Sequence, residues 1–356
     1  MRSRGITYDT GFFNGITSTH EPYDPDAVRH DLQAIRDDLH CTAVRLTGGD
    51  PQRLDLAARH AAALGLDVWF SPFSYEIEQD ALLDLLVDCA DRAERLRRQG
   101  ARVVLVTGAE LSLFTPGFLP GDTADARLRG LLKRDPHVLA GLPELPGRIN
   151  AFLARAVTAV RARFGGPVTY ASIHFEGVDW TPFDFAAYDV YRTRETAPHF
   201  EAGLRAMMAS GKPLAITEFG CATFRGAADL GALGADIVEY EAGHPVRLKR
   251  EYERDEAEQA RCITELVDVF KNVGVDSAFL CTFACFHLPH RPEGEVDLDL
   301  ASLGVVKVSL TGPEQPKRPR WTPKASFAAL AAAYRSEAEP SSPSNTPLAV
   351  LEGEQE

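Results

Sequence analysis

Two glutamates have the positions best suited to chemistry. Glu110 closes the run Val104-Leu-Val-Thr-Gly-Ala-Glu110, and Glu218 closes Leu214-Ala-Ile-Thr-Glu218. Each reads in period-two register with the apolar residues before it, Val104 and Val106 in one case and Leu214 and Ile216 in the other. A carboxylate ending an otherwise apolar strand is costly to bury without a partner or a task. Two carboxyl groups facing one site are the equipment of acid and base catalysis. His174 and Glu176 share one register at the end of another run, with Asp179 and Trp180 just beyond. Glu176 rivals Glu110 as the acid because it too ends a strand, and His174 is placed to bind substrate or tune a carboxylate. A metal site built from His174, Glu176 and a loop histidine, His287 or His290, lacks a ligand-spacing signature, so no metal or cofactor is expected.

Those residues need a frame that brings strand ends together. Eight short apolar runs alternate with longer helical patterns, at 5–12, 42–47, 67–73, 102–110, 168–176, 183–191, 213–218 and 277–283. The alternation predicts βα units and a parallel sheet covered on both faces. Asp24-Pro25 and Pro51 open helices, while glycines at 65, 100, 165, 211 and 274 stand where helices must stop and turn back. Connections from helix to strand are short, whereas those from strand to helix include 111–146, 221–251 and 285–321. The pattern predicts an α/β fold, a single (β/α)8 TIM barrel with long loops on the C-terminal face, where barrels bind ligands. Only a single turn is expected between the fifth and sixth strands. Residues 1–336 read as the barrel domain and 337–356, rich in Ser, Pro and Glu, as a disordered acidic tail.

Composition excludes several classes of function. The chain has 356 residues, a formal net charge of −13 and no Lys/Arg-rich stripe, which argues against nucleic acid as a partner. No apolar run is long enough for a bilayer, and the N-terminus lacks the apolar region of a secretory signal. The six cysteines contain no CxxC pair and read as reduced thiols of a cytoplasmic protein. A small-molecule partner is expected, and the oligomeric state is left open.

The two glutamates, with Ile216-Thr-Glu-Phe-Gly around the second, make 5–334 resemble the large clan of retaining glycoside hydrolases with (β/α)8 barrels. The resemblance implies that Glu110, on strand four, is the acid/base and Glu218, on strand seven, the nucleophile. Carboxyl groups about 5 Å apart permit a covalent glycosyl-enzyme intermediate. It also implies that Arg45 and Tyr191 contact the nucleophile. His174, Glu176, Trp180 and Tyr188 are, from their own positions near strand ends, further candidates to bind substrate. Two positions depart from the clan pattern. Ala109 stands where Asn binds the sugar 2-hydroxyl, and Phe283 is the nearest candidate for a stacking Trp on strand eight. The expected activity is retaining hydrolysis of a small glycoside. The departures admit a repurposed site for rearrangement, cyclisation or elimination, and a silent ligand-binding barrel is the third reading.

Overall fold

In the computed structural model, residues 1–12, 18–241, 243–291, 296–309 and 320–335 are described; the expected tail, 337–356, lies outside them. Runs rich in Val, Ile, Phe and Tyr form eight strands: β1 (Ser3–Asp9), β2 (Ala43–Gly48), β3 (Asp67–Pro72), β4 (Val103–Ala109), β5 (Val168–Ala171), β6 (Ala186–Asp189), β7 (Leu214–Phe219) and β8 (Ser277–Leu280). Hydrogen bonding follows the order β5-β4-β3-β2-β1-β8-β7-β6. A parallel bridge between Ser172 and Tyr188 joins the two ends, so the fold is a (β/α)8 barrel.

A helix follows every strand except β5: α1 (Pro25–Asp37), α2 (Pro51–Ala63), α3 (Gln79–Arg98), α4 (Leu145–Arg161), α5 (Phe200–Met207), α6 (Glu256–Val273) and α7 (Ala325–Arg335). Asp24 and Asp50 cap α1 and α2 through their carboxylates, each ahead of a proline that starts the helix. After β5 the chain makes only a 3-10 turn, His174–Glu176. The fifth strand therefore ends at Ala171, short of the predicted Glu176. The reason is local: the Glu176 carboxylate accepts the Ile173 N–H at 3.3 Å and folds the segment back on itself.

Two apolar layers result. Ala43, Trp69, Val104, Val106, Phe185, Ala187, Ala215 and Phe279 fill the barrel interior. Leu214, Ile216, Tyr188 and Phe219 belong instead to the layer between sheet and helices. Gly5 is required at the closed end of the barrel, because a Cβ there would lie 2.3 Å from the Phe279 ring. The last helix returns to the first strand, with the Tyr334 hydroxyl donating to the Gly5 carbonyl at 2.9 Å. Among the described residues no helix is long and apolar enough to cross a membrane.

Candidate active site

The long strand-to-helix connections emerge at the end of the barrel where β4 and β7 finish. Between them lies a chamber of about 240 Å³ lined by both Glu110 and Glu218. Neither glutamate arrives there by simple alternation. Leu214 and Ile216, expected to share a face with Glu218, point outward, while Ala215 points into the barrel. Pairing of β7 with β6 and with β8 shifts register at this end, and that break turns Glu218 inward. On β4 the register shifts between Val106 and Ala109. Gly108 (φ +113) and Glu110 itself (φ +45) take left-handed backbone, so that Ala109 and Glu110 both line the chamber. A non-glycine residue held in that conformation is a feature of functional sites.

Glu218 is surrounded by donors. Arg45, fully buried, donates from Nη1 to Oε1 at 2.7 Å, and the Tyr191 hydroxyl donates to Oε2 at 2.8 Å. Arg45 is itself fixed by bonds to the Ser71 hydroxyl and the Thr217 carbonyl, both 3.2 Å. Charge-assisted bonds of this kind match an ionised acceptor. The β2 residues Ala43 and Arg45 face the interior, and Thr47 lines the chamber, so simple alternation does place the arginine.

Glu110 is surrounded by acids. Burial, followed by repulsion from Asp189, Glu218 and Glu176, holds its carboxyl well above the usual carboxylate range, and Arg45 opposes this only partly. Asp189 went unnoticed in the sequence, although it sits in Tyr188-Asp-Val-Tyr191 and pairs in register with Glu218. Burial and the neighbouring Glu218 push it up to about 8. Neither of its oxygens makes a hydrogen bond of standard geometry among the described residues; the Thr217 hydroxyl is its near polar neighbour. Asp9, at the end of β1, is a further carboxylate of the chamber, raised by burial to about 6 despite accepting from Gly11 N and the Thr19 hydroxyl.

Other expected residues lie elsewhere. Glu176 is completely buried and does not line the chamber. Its oxygens accept from Ser112 N at 3.0 Å, the Tyr170 hydroxyl at 2.9 Å and the Ser172 hydroxyl at 2.9 Å. Tyr170 in turn accepts the N–H of Leu111 at 2.8 Å, so Glu176 anchors the two residues that follow Glu110. Tyr188 falls between Ala187 and Asp189, both directed inward, and so points outward. There its hydroxyl accepts from Trp180 Nε1 at 2.7 Å, and the exposed His174 ring lies 6.4 Å away. None of these three lines the chamber. Phe283 is not a stacking platform either: it is fully buried against Tyr8 and Trp321. The chain turns out of the sheet after Leu280, leaving Cys281, Thr282, Ala284, Cys285 and His287 to line the opening. An aromatic wall does exist, made by Phe12, Phe73 and Phe114, with ring centroids 4.8 Å and 5.0 Å apart in succession. Each of the three follows the end of a strand by a few residues, the one signal that the sequence offered.

No protein-family model matches the sequence, and a search of curated proteins found no match. Solved structures do match in fold. A GH113 β-1,4-mannanase superposes with a TM-score of 0.61 at 14% identity, covering 94% of this chain and 99% of its own. A GH113 β-mannanase from Alicyclobacillus acidocaldarius gives 0.58 at 16%, with 94% and 97% covered. The shared fold is the (β/α)8 barrel. A β-glucosidase adds 0.55 at 13%, with 94% and 98% covered. Identity this low carries the architecture and nothing finer.

Proposed function

We propose that this barrel is a retaining glycosidase of small glycosides, with Glu218 as nucleophile and Glu110 as acid/base. The observation that supports it is the contrast between the two carboxyl groups of one chamber. Glu218 accepts bonds from Arg45 and Tyr191, whereas Glu110 is pushed toward its protonated form by burial and by neighbouring acids. Glu218 attacks the anomeric carbon while Glu110 gives its proton to the departing oxygen. Glu110, now ionised, then takes a proton from the water that releases the sugar from Glu218. The phenylalanine wall offers an apolar face for the sugar ring, and Asp9, Thr47 and Thr282 offer polar groups.

Glu218→Gln is expected to abolish turnover of activated aryl glycosides. Azide should restore turnover to Glu218→Gly and release a glycosyl azide of inverted configuration. A Glu218→Gln enzyme as fast as the parent would overturn the assignment. Ala109 favours a second reading, because it lines the chamber with a methyl group and offers no amide to a sugar hydroxyl. In that reading the same two carboxyl groups run a non-hydrolytic acid/base reaction, and a broad aryl-glycoside panel would stay inert while the protein remains folded.

A further inference from the structure

The chamber opens into a second, larger cleft of about 920 Å³, and Phe12 and His287 line both. One wall is the short helix Ala124–Leu132, in the connection after β4. The facing wall is an antiparallel hairpin, Val238–Glu241 with His244–Leu248, in the connection after β7. Tyr75, beyond β3, lines the cleft as well. The two spaces differ in capacity. The chamber is smaller than the roughly 300–1,000 Å³ usual for sites that hold a drug-sized ligand, whereas the cleft lies near the top of that range. One sugar ring suits the first, and the second has room for a larger group.

The chemistry of the cleft narrows what that group is. Much of its charge is spent internally: Arg129 pairs with Asp125 at 2.7 Å, Lys249 with Asp236 at 2.7 Å, and Arg247 with Glu239 and Glu241. Two of its large apolar groups are uncovered. Leu132 and Tyr240 are each 48% exposed, on opposite walls of one concave surface. Large side chains left uncovered together mark a contact site more often than chance exposure does. Tyr75 and Tyr240 line the same cleft as Phe12 and His287, the residues at its junction with the chamber. At that junction the buried Nδ1 of His287 makes no hydrogen bond among the described residues, and burial keeps the ring neutral by lowering its pKa to about 4. A neutral imidazole can donate to or accept from a linking oxygen without adding charge.

We infer that the outer cleft holds the leaving-group half of the substrate, and that this half is a flat aromatic group gripped between Tyr75 and Tyr240. Which half departs rests on the glycosidase reading; the preference for a flat apolar group does not.

The test is a titration of full-length Glu218→Gln protein with free 4-methylumbelliferone, an aromatic probe that carries no glycosidic bond. Saturable one-to-one binding is expected. Tyr240→Ala should weaken it about tenfold, and Tyr240→Phe by about twofold or less, since stacking survives loss of the hydroxyl. Tyr240 is on an exposed hairpin, so matching circular dichroism and melting temperature would show the variants folded. Absence of saturable binding, equal binding by Tyr240→Ala, or displacement only by a disaccharide such as mannobiose would each overturn the inference. Binding that follows this pattern in a protein inert toward every aryl glycoside would sink the hydrolase reading alone.

Discussion

Glu218 and Glu110 share a side chain and a chamber, yet the walls that hold them differ in kind. The wall behind Glu218, from β2, β6 and β7, presents a guanidinium and a phenolic hydroxyl within 2.8 Å. Glu110, at the end of β4, receives no side-chain hydrogen bond among the described residues and has Asp189 of β6 and Glu176 of the turn after β5 nearby. Hydrogen bonds to the charged form favour ionisation, while burial and like charge oppose it. In the proposed glycosidase reading, this difference in surroundings suits Glu110 to the general acid and Glu218 to the nucleophile.

Removing the acid is the harshest way to break this contrast. Glu110→Gln should lower kcat/KM for a glycoside with a poor leaving group by about 10²–10⁴-fold. A 2,4-dinitrophenyl glycoside, whose phenolate departs without a proton, should be largely spared in its first step. Equal losses on both substrates would mean that Glu110 is not the proton donor.

The donor wall can be attacked next. Arg45→Met strands Glu218 among acids, and breaking a buried ion pair costs about 3–5 kcal/mol. Urea unfolding should show that loss. The same substitution made in a Glu218→Gln background should cost clearly less, because the unpaired charge is then absent. An undiminished cost in the double variant would show that Arg45 serves packing rather than the carboxylate.

The sequence made the barrel readable because each strand is a dense apolar run and some helices open on a capping aspartate, as at Asp24-Pro25 and Asp50-Pro51. Glu110 and Glu218 were legible as strand-end carboxylates, and Arg45 and Tyr191 only through the family resemblance. What alternation could not supply was the register at those ends. The break in β7 sends Ile216 outward and Glu218 inward, and the turn at Glu176 cuts β5 short. Misplacing Tyr188, Trp180 and Phe283 had the same cause, since facing depends on where pairing slips and the chain leaves the sheet. Asp189, Asp9 and the phenylalanine wall escaped notice because each is assembled from neighbours distant in sequence.

Glu176 offers a subtler probe of how the Glu110 wall is built. It touches the segment after Glu110 through Ser112 N and, by way of Tyr170, Leu111 N. A glutamine cannot accept from all these donors at once. Glu176→Gln should therefore cost about 1–3 kcal/mol of stability. It should also lower kcat with KM nearly unchanged, because only the placement of Glu110 is loosened. A rise in KM with constant kcat would instead assign Glu176 to substrate contact.

The smallest effect is visible only as a function of pH. Asp189, ordinary in the unfolded chain at 3.8, is raised to about 8 by burial and by Glu218. Between those values the folded protein holds a proton that the unfolded chain has released. Stability falls wherever the folded state binds more protons as pH rises, so this contribution is fully present below pH 4 and lost as pH climbs through about 8. Asp189→Asn removes the titration while keeping shape. The melting temperature of the variant minus that of the parent should consequently rise from pH 5 to pH 8 and level off above. Glu110 titrates with the same sign, and because Asp189 is one of the charges that raise it, its own shift shrinks in the variant and adds to the same rise. A difference flat across that range would mean that Asp189 is already ionised beside Glu218, and that Arg45 supports two anions rather than one.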